Sequence, residues 1–463
     1  MSDDAPAAAA SAADKREGHA CGGTVTCLAA LRQPGCFASG GSDADVCLWA
    51  PHLNASAALG DPPLAYTCVQ RLRGHAGEVR CLALLDGGAL LSGAWDSALR
   101  LWTPVQQTIS APSSPRGHDG NDHDGHAAAP IKIPAFAFSG EWLGHDGPVW
   151  ALCALRDGGA ASAGADATVR LWAPPAAHAD GPVVPRRVLY GHSEDVCALA
   201  ALACGARLAS GGTDGTVRLW RLADGASEAV LKGHSDSVTA LAATRGGGAA
   251  SASADRAVRV WRPLPPSAPP PDADALPPQP LPAPPAVPPG PRIEDVAAVL
   301  LMPLRCLFPH LPLPGGLEAH GHRGGPGCLS VLQGHAQALG ALAALPDGRL
   351  VSGGADAALC VWSQAAAPPP GAPPSPRFYD PVAAALARPP DVTAPWRCDR
   401  VLQRPDVGGP AAPAHRPVSA LAALAYAPEA PALLVAASFG ARVRVWDVAA
   451  SDVAAELATS RDD

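Results

Sequence analysis

The chain has 463 residues, 48% of them hydrophobic, with 48 glycines, 52 prolines and a formal net charge of −8. Glycine and proline break helices, so one long helical bundle is excluded, while the apolar content suffices for a core and argues against global disorder. A negative chain with no long basic run offers no phosphate-tracking surface for nucleic acid. No apolar stretch reaches the roughly 18 residues that a membrane-spanning helix needs.

Residues 1–18 open acidic and then alanine-rich, too weakly apolar for a signal-peptide core, and are expected to form a disordered tail of an intracellular protein. Beyond them a phrase recurs. It ends as DADVCLW at Trp49, DSALRLW at Trp102, DATVRLW at Trp172, DGTVRLW at Trp220, DRAVRVW at Trp261, DAALCVW at Trp362 and GARVRVW at Trp446. Each phrase has a histidine upstream: His19, His75, His145, His192, His234, His335 and His415, at spacings of 30, 27, 27, 28, 27, 27 and 31 residues. Composition bias does not produce seven matched pairs, so a repeat architecture is expected. Between the anchors lie strand-like runs. After His192 comes DVCALAALA, a buried strand, then RLASGGTDGTVRLW, two strands joined by a tight turn.

Two further residues keep fixed offsets, a serine ten and an aspartate six positions before the tryptophan. The first unit has Ser39 and Asp43. The second combines His75, Ser92, Asp96 and Trp102, and the third His145, Ser162, Asp166 and Trp172. The fourth has His192, Ser210, Asp214 and Trp220, the fifth His234, Ser251, Asp255 and Trp261, and the sixth His335, Ser352, Asp356 and Trp362. These types suit a side-chain chain in which Asp accepts from His, His meets Ser, and the indole N–H finds the hydroxyl. Each such bond is worth about 1 kcal/mol net, and an orphaned buried partner costs about 1–3 kcal/mol. The seventh unit has Ala436 and Gly440 at the Ser and Asp positions and reads as a degenerate terminal repeat.

With His, Ser, Asp and Trp at these offsets, the chain resembles the WD-repeat β-propellers. The resemblance implies an all-β fold, a single seven-bladed propeller over 19–460 with a short tail at 461–463. It also staggers the repeat, so that the tryptophan lies on strand c and the outer strand d precedes the next histidine. The d-strand candidates are AYTCVQRLR, FAFSGEWL, PRRVLY, ASEAVLK, CLSVLQ, WRCDRVLQ and, near the C-terminus, VAAELATS, which is expected to close the last blade.

The remaining length falls in Pro-, Ala- and Gly-rich inserts between a tryptophan and its d strand, in c–d loops that the family geometry puts on the bottom face. Those at 103–134, 262–327 and 363–395 are expected to be largely disordered. Only three of the 34 basic residues are lysines, so much of this composition reads as coding bias and the polyproline stretches as neutral spacer. One apolar island, Ile293 to Phe308, suggests a short helix packed under the propeller. The segment GHDGNDHDGH, with His118, His123 and His126, could hold a metal weakly but reads better as a solvated loop, so neither metal nor cofactor is expected. Thirteen cysteines without a CxxC pair, several inside strand-like runs, read as reduced core residues.

No nucleophile elbow, metalloprotease, Walker or dinucleotide motif is present, and the repeat histidines are consumed in structural bonds, so the chain is not read as an enzyme. Binding is the stronger class. The resemblance implies that residues flanking the start of strand a, and the one before the turn Asp, rim the top face. Most are small, as at Thr26, Thr239 and Ser419. The candidates for partner binding are Glu78, Arg80, Trp95, Trp150, Asp195 and Phe439, with Trp95, Trp150 and Arg80 as anchors. The plain alternative tucks Trp150 into the channel or against Trp95. The expected function is a non-catalytic protein–protein scaffold, a monomer within a complex, binding other proteins but neither nucleic acid nor membrane. It is intracellular, with cytoplasm favoured over nucleus. Three consecutive units, FASGGSDADVCLW, LLSGAWDSALRLW and GHDGPVWALCAL with SAGADATVRLW, also resemble the propeller of phospholipase-A2-activating proteins, which implies ubiquitin binding in protein degradation as the alternative. An enzyme using the central channel ranks last, because strand a supplies mainly Ala, Leu, Val and Cys.

Overall fold

The computed structural model describes residue 19 and residues 23–53, 64–105, 135–175, 183–262, 327–364, 396–402, 418–424, 433–438, 442–448 and 452–458. These residues form seven four-stranded antiparallel sheets, each a meander of consecutive strands. We number the sheets 1 to 7 in chain order and letter the strands of each a to d. The a strands touch in a closed cycle, each against the next and that of sheet 7 against that of sheet 1, so the architecture is a β-propeller. Among the described residues there is no α-helix, and no helix long and apolar enough to cross a membrane.

Strand b carries the packing between sheets. It is fully buried in sheets 1 to 6 and built of small residues such as FASGG and LVSGG. The reason is close approach: a Cβ on Gly40 would stand 2.7 Å from Val79 Cγ1, and one on Gly353 2.6 Å from Val418 Cγ1. The first apolar residue of the following strand a therefore seats against the backbone of strand b. Several apolar clusters join neighbouring sheets. One packs Ala163 and Leu171 of sheet 3 with Leu199 and Trp220 of sheet 4.

The turn between b and c explains why Asp is needed there. The residue after it takes a left-handed conformation at Ala44, Ser97, Ala167, Arg256 and Ala357, with glycine there only at Gly215. The aspartate holds this turn by accepting the backbone N–H two residues on, at 3.1 Å from Ala98 and 2.9 Å from Thr216. Past the turn, the c–d ladder shifts register next to the tryptophan in sheets 1, 2, 4, 5, 6 and 7. Such a bulge adds one residue to strand d and tightens the local twist.

Two expected boundaries change. Thr103–Val105 and Ser363–Gln364 continue strand c, so the inserts placed at 103–134 and 363–395 start later. Pairing zips on past the tryptophan while strand d offers a partner, up to Val105 with Ala135 and Gln364 with Trp396. Sheet 7 takes its strand d, Asp452–Ala458, from the end of the sequence. The N-terminal tail, the apolar island at 293–308 and the histidine-rich segment lie outside the described residues.

Candidate interaction surface

In sheet 4, Trp220 Nε1 donates to Ser210 Oγ at 2.8 Å, Ser210 Oγ lies 2.7 Å from His192 Nε2, and His192 Nδ1 lies 2.8 Å from Asp214 Oδ2. The same chain of contacts occurs in sheets 1, 2, 3, 5 and 6, with Trp–Ser distances of 2.8–2.9 Å. The indole can only donate, so the hydroxyl accepts from it, and the imidazole bridges that hydroxyl at Nε2 and the carboxylate at Nδ1. The carboxylate also accepts the backbone N–H following the histidine, as at Ala76 (2.9 Å) and Ala336 (2.8 Å). One side chain thus ties the d–a loop to the b–c turn.

Burial pushes the carboxyls of Asp96, Asp166, Asp214, Asp255 and Asp356 up. The histidine hydrogen bond and the backbone donors outweigh it and hold all five below the ordinary value of 3.8. Every hydrogen-bonding atom of these imidazoles is engaged, which leaves none of them aimed at a substrate. Among the described residues no group of three or more His, Cys, Asp or Glu could hold a metal ion.

At this same end of the sheets the turn backbone bonds to the start of strand a, as in Trp95 N–H to Glu78 O at 3.0 Å and Thr213 N–H to Asp195 O at 2.9 Å. The second residue of strand a decides what happens between sheets. Where it is a hydroxyl, it bonds to the carbonyl opening the next strand a: Thr26 to Val79, Thr239 to Leu339 at 2.8 Å, and Ser419 to Val25 at 3.0 Å. The last of these spans the closure between sheets 7 and 1. In the sequence these hydroxyls looked like small rim residues, because their acceptors belong to the next sheet.

Sheets 2 and 3 carry Arg80 and Trp150 at that position. The Arg80 guanidinium lies 5.3 Å from the Trp150 ring centre and pairs with Glu78 at 3.0 Å. Trp95 meets Trp150 edge to face at 6.0 Å and 84°. The Trp150 indole donates to Asp195 Oδ2 of sheet 4 at 3.1 Å. Burial raises the Asp195 carboxyl above its ordinary value, and this indole bond opposes the rise. The sequence offered two placements for Trp150. It does not stand out from the rim but is buried, 8% exposed, against Trp95. Glu78, Arg80, Trp95 and Asp195 are half-buried around it. Five of the six residues nominated from the sequence therefore form one cluster across sheets 2, 3 and 4, and Phe439 lies outside the described residues.

The family model for the WD domain, G-beta repeat, matches residues 13–50, 66–103, 136–173, 183–221, 225–262 and 326–363, which leaves sheet 7 outside the matched segments. Human coronin-7 is 42% identical over 106 residues, covering 22% of this chain and 12% of that protein. The ribosome biogenesis protein ytm1 of Aspergillus fumigatus is 33% identical over 135 residues, 28% of this chain and 22% of its own length. Mitochondrial division protein 1 of Kluyveromyces lactis is 27% identical over 190 residues, 37% of this chain and 24% of that protein. The alignments thus span less than a quarter of each of these relatives.

Proposed function

The chain belongs to the WD-repeat family, and from that premise we propose that it is a non-catalytic protein-interaction scaffold whose partner docks on the loop face of sheets 2 to 4. The observation that carries the reading is the Trp95–Trp150 pair, clamped by Arg80 and Asp195 where sheets 1, 5 and 7 carry small hydroxyls. Trp and Arg are the usual energetic anchors of interfaces, and a cluster already fixed by its own contacts loses little side-chain entropy on binding. The Trp95 indole N–H is itself buried and has no acceptor among the described residues, so the face this residue offers a partner is its ring rather than its donor. The eleven described cysteines are all thiols, six of them buried, in keeping with a reducing, intracellular setting.

The test compares wild type with Trp95→Ala and with the double variant Trp95→Ala, Trp150→Ala, in affinity capture and then in titration against the captured protein. The double variant should weaken binding at least about 30-fold, as expected for loss of about 2 kcal/mol or more at a hot spot. Unchanged binding by a folded double variant would refute the docking site. Immobilised ubiquitin is the specific probe for the alternative reading. Retention that the variants lose makes the chain a ubiquitin adaptor, and no retention leaves the general scaffold.

A further inference from the structure

In every sheet but the third, strands c and d bring two positions together: the residue two before the tryptophan, and the residue paired with the tryptophan. The ladder pairs Trp49 with Cys68, Trp102 with Phe138, Trp261 with Cys328 and Trp362 with Cys398. Strand alternation puts the residue two before the tryptophan on the same face as it. The occupants differ from sheet to sheet. In sheet 2, Arg100 stacks over Phe138 at 5.6 Å, and in sheet 5 the same two positions are Arg259 and Cys328. In sheets 1 and 6 both positions are cysteines, so the register sets Cys47 beside Cys68 and Cys360 beside Cys398 on one face of the ladder.

The two thiol pairs share a register but not an environment. Cys47 and Cys68 are 0% and 3% exposed and sit in the apolar cluster with Phe37 and Trp49, where a thiol packs as a small hydrophobe. Cys360 is equally buried, but Cys398 is exposed, so packing gives no reason for a thiol there. We propose that Cys360 and Cys398 are a disulfide-forming site that closes reversibly across strands c and d of sheet 6, with a small disulfide such as oxidised glutathione as the oxidant.

The exchange runs in two steps. The Cys398 thiolate attacks one sulfur of oxidised glutathione and expels a glutathione thiolate, which takes up the proton that Cys398 lost. Cys360 then gives up its proton and attacks the Cys398 sulfur of the mixed disulfide, expelling the second glutathione. Two protein thiols become one disulfide, and one glutathione disulfide becomes two thiols. Exposure makes Cys398 the first to react. Cys360 is the slower, resolving thiol, because burial and then the neighbouring Cys398 push it up to about 12. The product fastens the outer strand Trp396–Leu402 to the strand Leu359–Gln364 across the intervening residues 365–395, which restricts the unfolded chain.

The full-length protein is incubated with oxidised glutathione, the remaining thiols are alkylated, and the peptides are mapped by mass. The expected result is a Cys360–Cys398 linkage, while Cys47 and Cys68 are alkylated only after unfolding. Cys360→Ser should stop at one glutathione on Cys398, and Cys398→Ser should leave Cys360 a thiol. Oxidation should raise the thermal midpoint of wild type by a few degrees, reversed by reductant and absent in Cys398→Ser. A persistent glutathione on Cys398 of wild type with Cys360 still a thiol, no reaction at Cys398, or prior linkage of Cys47 to Cys68 would each overturn the proposal.

Discussion

In sheets 1 to 6 the strand-c tryptophan, the strand-b serine, the loop histidine and the turn aspartate are joined by contacts of 2.7–3.2 Å. Sheet 7 has Ala436 and Gly440 at the serine and aspartate positions, yet folds as the same meander. Besides the Ser419 bond to Val25, it has apolar support from both sides. Val418 and Trp446 pack with Val351 and Val361 of sheet 6, and Leu424, Val443 and Val445 pack with Phe37, Trp49 and Tyr66 toward sheet 1. A sheet in this ring can therefore be held by its neighbours without an internal polar clamp. The clamp adds direction: it fixes the d–a loop to the b–c turn, and those loops carry Glu78, Trp95 and Asp195 of the proposed docking cluster. Hydrophobic burial is non-directional and cannot set that geometry.

The largest test of this contrast is at the seam. Leu424→Ala should cost about 2–5 kcal/mol, read by urea unfolding, and should expose sheet 7 to limited proteolysis before sheets 2 to 5. Release of all sheets together would mean that the seam is no weaker than the rest. Next is Ser210→Ala. It orphans both the Trp220 indole N–H and His192 Nε2 and should cost about 1–3 kcal/mol, with little change in secondary-structure signal. A cost near zero would show that the polar chain contributes only geometry.

Acid should act unequally on the two regions. The five aspartates held below 3.8 stabilise the fold at any pH above the ordinary carboxyl value, and that contribution disappears as the pH falls through their lower folded values. Asp195, held high by burial, works the other way: its penalty is relieved as the pH falls through its raised value. On balance stability should hold from neutral pH down to the ordinary carboxyl range and fall below it. Hydrogen exchange should rise first in sheets 2 to 6, whose turn carboxylates are then protonated. The smallest effect is a gain. Arg256 has φ 70° where sheet 4 has Gly215, so Arg256→Gly should stabilise by up to about 1 kcal/mol in thermal unfolding.

Much of the fold was legible because it is local. The run ASEAVLK foretold a strand now seen at Ser227–Lys232, and CLSVLQ one at Cys328–Gln333, since turn residues and alternation mark strand ends wherever the strand later packs. The c-strand extensions were not legible, because they depend on how far a partner strand reaches. The candidate site was legible only as a set of nominees. Glu78 and Arg80 are two residues apart, but Trp95, Trp150 and Asp195 arrive from three sheets.

By itself, then, the sequence determined the repeat, its strand order and the residue types at each turn, since these follow from spacing within one unit. Only the tertiary structure decided that Trp150 is buried under Arg80, that Thr26 and Ser419 bond across neighbouring sheets, and that the ladder sets Cys398 opposite Trp362, on the face of Cys360. The physical reason is twofold. Contacts between sheets are set by closure of the ring, and the bulge beside six of the seven tryptophans shifts the opposing residue by one, so neither can be counted along the chain.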